Sequence, residues 1–307
     1  MDPIEIQLAT SDDLTAILKL NINEYWQNVN EWDEASQANR IKIGSWWGDD
    51  RILGWHWDIL LKSDGGIIIA KKDNQVIGEL DFVKSIDIID NQTITRIHVI
   101  WLLVDKIHRK EGVAEKLIEY LKSIVNGIPI FVEAEDERTT NLYEKLGRQA
   151  LNTSNWSLET TSEFINEYFN SEINETELSN NIIFDFIHAE CIIGRYHAPS
   201  FDLNQLVYSD ISTPYIWGDG IEHLFYKYSL NFTQCFAVIT QYPRIYVETG
   251  FVWEDLKLII PHIFARCMIE GFSSIEIQIY ENKIVNKLLL SIGSTLLLEN
   301  DPVYQII

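Results

Sequence analysis

The stretch VIWLLVDKIHRKEGVAEKL, residues 99–117, constrains the fold more than any other part of the 307-residue chain. An apolar run from Val99 to Val104 ends in a charged segment. Helix-spaced apolar residues follow at Leu117, Ile118, Leu121 and Ile124. A strand therefore hands over to a helix across Arg109–Ala114. Gly is a poor helix former and Val a mediocre one, yet Gly112, Val113 and Ala114 stand where the helix has to begin. Small residues let a ligand approach the main chain, and the first-turn N–H groups of a helix lack an intrahelical partner. The segment RKEGVA (109–114) fits Arg/Gln-x-x-Gly-x-Gly/Ala and suits a negatively charged group held close to the backbone, with Arg109 adding a charge-assisted contact. No Gly-Lys-Ser/Thr follows, which excludes a Walker loop.

Strand and helix signals alternate around this unit. A short strand, Ile4 to Leu8, leads to a helix capped by Thr10 or Ser11 with Leu14, Ile17 and Leu18 inward. Residues 65–83 predict a hairpin turning at Lys72–Gln75. A strand at Thr95–Val104 and a helix to about Val125, stopped by Gly127, come next. Then follow a strand at 128–135 and a helix at 137–147 closed by Gly147. From residue 235 the order recurs: strands at 235–240 and 244–249, a helix from Trp253, Gly271, a strand at 275–280, and a helix closed by Gly293. An internal repeat accounts for this. The expected fold is α/β, a mixed, mostly antiparallel sheet flanked by helices, in tandem. The polar residues between set a first domain at 1–158, a linker at 159–180 and a second domain at 181–307.

Composition supplies 46% hydrophobic residues, enough for two cores, and a net charge of −22. That charge argues against nucleic acid as a partner and favours cations, protonated amines among them. Cys191, Cys235 and Cys267 are widely spaced with no metal or redox pattern, as for reduced thiols in the cytoplasm. The opening MDPIEIQLAT lacks signal-peptide character, and the longest apolar stretches fall short of a membrane span.

The order strand, helix, hairpin, strand, RKEGVA helix, strand, NLYEKLG helix resembles the GCN5-related N-acetyltransferase (GNAT) family over residues 4–158. Its most specific pieces are LLVDKIHRKEGVAEKL (102–117) and NLYEKLG (141–147). The resemblance implies acetyl-CoA as cosubstrate. Leu102, Leu103 and Val104 would hold the pantetheine arm, and Arg109, Lys110, Glu111, Gly112, Val113 and Ala114 the pyrophosphate, with Asn141 beside the cofactor. Tyr143 matches the helix Tyr that protonates the departing CoA sulfur. His98 and Glu79 are the candidate bases. Lys110 stands where the family usually has Gly, and Glu111 where it usually has Lys, Arg or Gln. Asp136 and Thr139 stand where Asn and Ala are frequent, and Arg148 where Phe is.

Acetyl transfer needs a deprotonated amine, a polarised thioester carbonyl and a protonated leaving thiolate. Trp26, Trp32, Trp46, Trp47, Trp55 and Trp57, with Asp49, Asp50 and Asp58 among them, could form a pocket for a cationic amine or simply pack in the core. The second half lacks the Arg-x-x-Gly-x-Ala pattern and has Leu289 where Tyr143 sits, so it is expected to be a degenerate copy. The expected activity is N-acetylation of a primary amine by direct attack. The expected partners are acetyl-CoA, the amine and, in a homodimer, a second chain. The alternatives are an inactive acyl-CoA-binding sensor or scaffold, or a fold relic that binds no CoA.

Overall fold

The computed structural model describes residues 3–26, 31–32, 40, 49–89, 92–134, 137–159, 161–178, 189–193, 224–248, 250–280 and 282–307. Strand β1 (Glu5–Leu8) leads through a single 3-10 turn into helix α1 (Leu14–Tyr25). Asp13 Oδ2 accepts from the amide and hydroxyl of Thr10 at 2.9 and 3.0 Å, fixing that entry. Helix α2 (Asp50–Lys62) precedes strands β2 (Gly66–Lys72) and β3 (Gln75–Ile89). These join through Asp73 and Asn74, both at positive φ, a conformation that short polar side chains tolerate. Strand β4 (Gln92–Val104) pairs along β3 and ends at the loop before α3 (Val113–Ile124). Helix α3 buries Val113, Leu117, Ile118 and Leu121 on one stripe, each contributing roughly 1.5–3 kcal/mol by leaving water. Strand β5 (Ile130–Glu133), helix α4 (Glu137–Leu146) and strand β6 (Gly147–Glu159) complete the first half.

The segment expected as a linker folds. Helix α5 (Ser162–Tyr168), capped by Thr161, buries Phe164 against the second half, and strand β7 (Asn174–Leu178) joins a sheet. A few apolar anchors among polar residues suffice, which composition averages away. Strands β8 (Ala189–Ile193), β9 (Leu224–Leu230), β10 (Thr233–Ile239) and β11 (Arg244–Glu248) follow. Helix α6 (Trp253–Ile269), strand β12 (Ser274–Tyr280), helix α7 (Lys283–Ser291) and strand β13 (Thr295–Ile306) end the chain. The order β9-β10-β11-α6-β12-α7-β13 thus parallels β2-β3-β4-α3-β5-α4-β6.

The sheets do not respect the expected division at 158 and 181. One sheet has eight strands in the order β1-β2-β3-β4-β5-β13-β6-β12, the other five in the order β7-β9-β10-β11-β8. The last strand of the chain, β13, runs between β5 and β6, with Tyr304 opposite Val132 and Ile306 opposite Gly147. Strand β6 in turn pairs with β12 of the second half, Ile277 facing Trp156. Each half therefore gives its last strand to the other, β13 pairing with β5 and β6 with β12.

Gly147 has a different task from the expected helix stop. Its φ is not positive, and β6 begins on it directly. A Cβ at this position would lie 2.2 Å from the Gln305 carbonyl oxygen, so the residue is glycine because β13 passes against its backbone.

Candidate active site

Strand β4 carries the geometry on which the site depends. It pairs in parallel with β5 only over Ile97–Val99 against Ile130–Val132 and then parts from it. A bulge shifts the β3–β4 register between Asp81 and Phe82, and it puts both Ile100 and Trp101 on the face that packs under α1 and α2. Downstream, the Asp105 amide donates to the Ile77 carbonyl at 2.9 Å. By antiparallel alternation, Leu103 directs its amide and carbonyl to β3, whereas Leu102 and Val104 direct theirs to the open edge. Two of the three residues expected to hold a pantetheine arm thus offer main-chain groups to the gap, and Leu103 does not.

The loop after β4 folds as a 3-10 turn, Lys106–His108, followed by Lys110 and Gly112 with φ of 70° and 74°. The left-handed Gly112 turns the chain into α3. Among the described residues no hydrogen bond engages the amides of Gly112, Val113 or Ala114. Unengaged amides at the positive end of a helix dipole favour an anion. Lys110 adopts the same left-handed region without glycine's freedom.

Arg109 differs from its expected role. Its Nη2 donates to Glu24 Oε2 at 2.6 Å and its Nε to the Val104 carbonyl at 3.0 Å, so it ties the end of α1 to the end of β4. Lys106 reinforces that junction by capping the Glu24 carbonyl at 2.8 Å. Glu111, an awkward charge beside an anion site, is held by Lys72 at 3.1 Å and by His108 at 3.3 Å. The bonds from Lys72 and His108 hold its carboxyl below the usual range. Its charge is therefore countered by neighbouring cations.

The gap between β4 and β5 opens into a cleft lined by Val99–Leu102, Val132, Glu133, Thr139 and Tyr143. Tyr143, the one buried residue of α4, reaches it from that helix. Asn141 lies exposed on the same helix, and Ala114 is half-buried at the start of α3. Neither His98 nor Glu79 lines the cleft. His98 sits where β4 is paired on both sides, opposite Val83 and Phe131, its ring 6.5 Å from that of Phe131. The gap opens only beyond it.

Glu79 is fully buried on β3, one layer behind the cleft. Its Oε1 accepts from Asn21 Nδ2 at 2.7 Å and from Trp101 Nε1 at 2.8 Å. Its Oε2 has no hydrogen-bond partner among the described residues. Burial, and then the charge of Asp81, push its carboxyl well above the usual range, against the bonds from Asn21 and Trp101. Asp81 itself pairs with the buried His56 at 2.7 Å. Because the native state binds the Glu79 proton more tightly than the unfolded chain, stability should fall as pH rises from about 4.5 towards the raised value. Denaturation of Glu79→Gln should lack this slope, so the variant gains on the native protein with rising pH. A pH-independent difference between the two would contradict the assignment.

The second half closes the equivalent gap. Strand β8 pairs along β11, Ile193 opposite Ile245 and Ala189 opposite Glu248, covering the edge that β4 leaves open. At the start of α6 the Val252 amide donates to Thr233 Oγ1 at 2.9 Å, and Asp255 accepts from Thr233 and Asn231 at 2.9 and 2.7 Å. Leu289 is fully buried.

Trp26, Trp32, Trp55 and Trp57 are partly buried against the core under α1 and α2, while Trp46, Trp47 and Asp136 fall outside the described residues. Trp101 and Glu133 line the cleft without having been singled out from the sequence, and Thr139, noted there only as standing where Ala is frequent, lines it too. Thr139 stands four residues before Tyr143, one helical turn away, so that spacing would have found it. Trp101 is hidden in a wholly apolar run.

The site thus sets a strand that leaves its neighbour beside a helix with unengaged first-turn amides. Residues 63–147 match the family model described as an acetyltransferase (GNAT) domain, and this segment is such a domain. The fold of the whole chain is similar to that of a GCN5-related N-acetyltransferase from Anabaena variabilis. That structure is 13% identical with a TM-score of 0.60, and the match covers 99% of this chain and 72% of that one. A GCN5-related N-acetyltransferase from Kribbella flavida is 9% identical with a TM-score of 0.55, covering 99% and 71%. No curated protein matches the chain. Among the described residues no helix is long and apolar enough to cross a membrane.

Proposed function

We propose that the chain is an N-acetyltransferase that moves an acetyl group from acetyl-CoA to a primary, cationic amine. The pyrophosphate rests on the amides of Gly112–Ala114 within the Arg109–Ala114 loop, and the pantetheine arm runs along the open edge at Leu102 and Val104. The reading rests on one observation: β4 parts from β5 beyond Val99, and Leu102 on its open edge lines one cleft with Tyr143 of α4. The amine nitrogen attacks the thioester carbonyl carbon, and the Val104 N–H stabilises the oxyanion. Glu79 takes the ammonium proton through water, burial and the charge of Asp81 having raised its affinity for a proton. The C–S bond then breaks, and Tyr143 gives its proton to the thiolate.

A covalent acyl-enzyme has no support in the described cysteines. Cys235 and Cys267 are buried in the second-half core, and burial pushes the Cys267 thiol up to about 12. The second half serves as a degenerate, structural copy, its own gap filled by β8.

Calorimetric titration with acetyl-CoA, followed by CoA release across a panel of amines, tests the proposal. Saturable binding with amine-dependent release is expected. Binding without release from any amine would establish the sensor instead, and absence of binding would exclude both.

A further inference from the structure

We propose that the second half completes the first half's active site through Tyr304, a positioning residue that holds Tyr143 at the cleft; the inference rests on the acid role given to Tyr143 above. Tyr304 arrives on β13, the strand exchanged between β5 and β6. It stands opposite Val132, itself part of the cleft wall, yet does not line the cleft. Its ring lies 6.1 Å from that of Tyr143 at 44°, with both side chains almost wholly buried. Burial and the neighbouring Glu144 carboxylate hold the proton on its hydroxyl more tightly than usual. Tyr304 therefore meets α4 through the ring of Tyr143.

Leu142 and Leu146 of that helix pack, partly buried, against the same core. Helix α4 has ten residues, and Tyr143 is the only one fully buried. The strand beneath is anchored by its backbone: the Ala134 amide donates to the Pro302 carbonyl at 3.1 Å, and the Ile307 amide to the Leu146 carbonyl at 3.0 Å. Lys122 of α3 donates to the Ile307 carbonyl at 2.8 Å. Tyr304 is thus fixed from below while α4 rests on it. The direction of an acid on a short helix depends on the ring packed beside it, and proton transfer is sensitive to small displacements.

The test uses the full chain. Tyr304→Ala should lower kcat by about tenfold or more while the KM for acetyl-CoA stays within about twofold, and Tyr304→Phe, which keeps the ring, should restore most of kcat. A purely structural role would reduce the folded fraction without separating kcat from KM. Tyr304→Leu replaces the Ala variant if the latter does not fold. A second readout does not depend on turnover: 19F spectra of protein labelled with 3-fluorotyrosine, the Tyr143 signal being identified by its loss in Tyr143→Phe. That signal should move or broaden in Tyr304→Ala and stay in place in Tyr304→Phe. An inactive wild type would overturn the proposed chemistry and leave this spectral test intact. An unmoved Tyr143 signal, or an unchanged kcat in an active enzyme, would overturn the inference alone.

Discussion

Replacing Tyr143 by Phe is expected to lower kcat by roughly two orders of magnitude or more while leaving the Kd for acetyl-CoA within about twofold. The prediction follows from where the hydroxyl sits. The ring is held by the α4 core and by Tyr304, so Phe preserves packing, and removal of one buried hydroxyl costs on the order of 1 kcal/mol of stability. On the proposed reading, cosubstrate affinity comes from elsewhere, from the Gly112–Ala114 amides and the open edge of β4. Only the step in which the thiolate leaves should suffer, and the loss should ease when the leaving thiol is made more acidic, since such a thiolate departs without a proton. Steady-state kinetics with acetyl-CoA, paired with calorimetric Kd values, decide the matter. Equal kcat in the two proteins would make Tyr143 a core residue and leave the proton to come from water.

The strand–loop–helix unit at 99–124 is legible in the sequence because each of its signals is local. The apolar run, the small residues at 112 and 114 and the spacing of Leu117, Ile118 and Leu121 all lie within a few turns of one another. The same holds for the Asp73–Asn74 turn. What escapes local reading depends on register or on distant pairing. The bulge that sets Ile100 beside Trp101 leaves no mark in a stretch where every residue is apolar, so Trp101 reveals neither its place in the cleft nor its bond to Glu79. His98 attracts notice for its chemistry, yet the β4–β5 pairing closes over its position. Arg109 fits a phosphate pattern, but Glu24 on a remote helix takes its guanidinium at 2.6 Å. The exchange of β6 and β13 is the extreme case. Polar residues around 160–180 mark where the chain crosses between halves, and nothing local states that the last strand returns to the first sheet.

That return makes Gly147 the position where a single methyl group should cost most. Its φ is one that any residue adopts, so Gly147→Ala introduces no dihedral strain, and the whole effect is steric. The new Cβ would lie 2.2 Å from the Gln305 oxygen, 2.9 Å from the Gln305 carbonyl carbon and 3.0 Å from Ile306 Cα. All three are backbone atoms of β13, and no side-chain rotation relieves them. The strand must withdraw, and its bonds to Leu146 and Lys122 and its support of Tyr143 weaken with it. A loss of about 3 kcal/mol or more is expected, at or above the upper end for overpacking, together with most of the turnover. Gly54→Ala provides the control: Gly54 lies in α2 with nothing within 4 Å of an added Cβ. There the same substitution should stabilise by up to about 1 kcal/mol through helix propensity. Urea denaturation of the two variants at one pH separates the cases. If Gly147→Ala is as stable as the native chain, β13 does not pass against β6 at this register, and the dependence of the first half's site on the second falls with it.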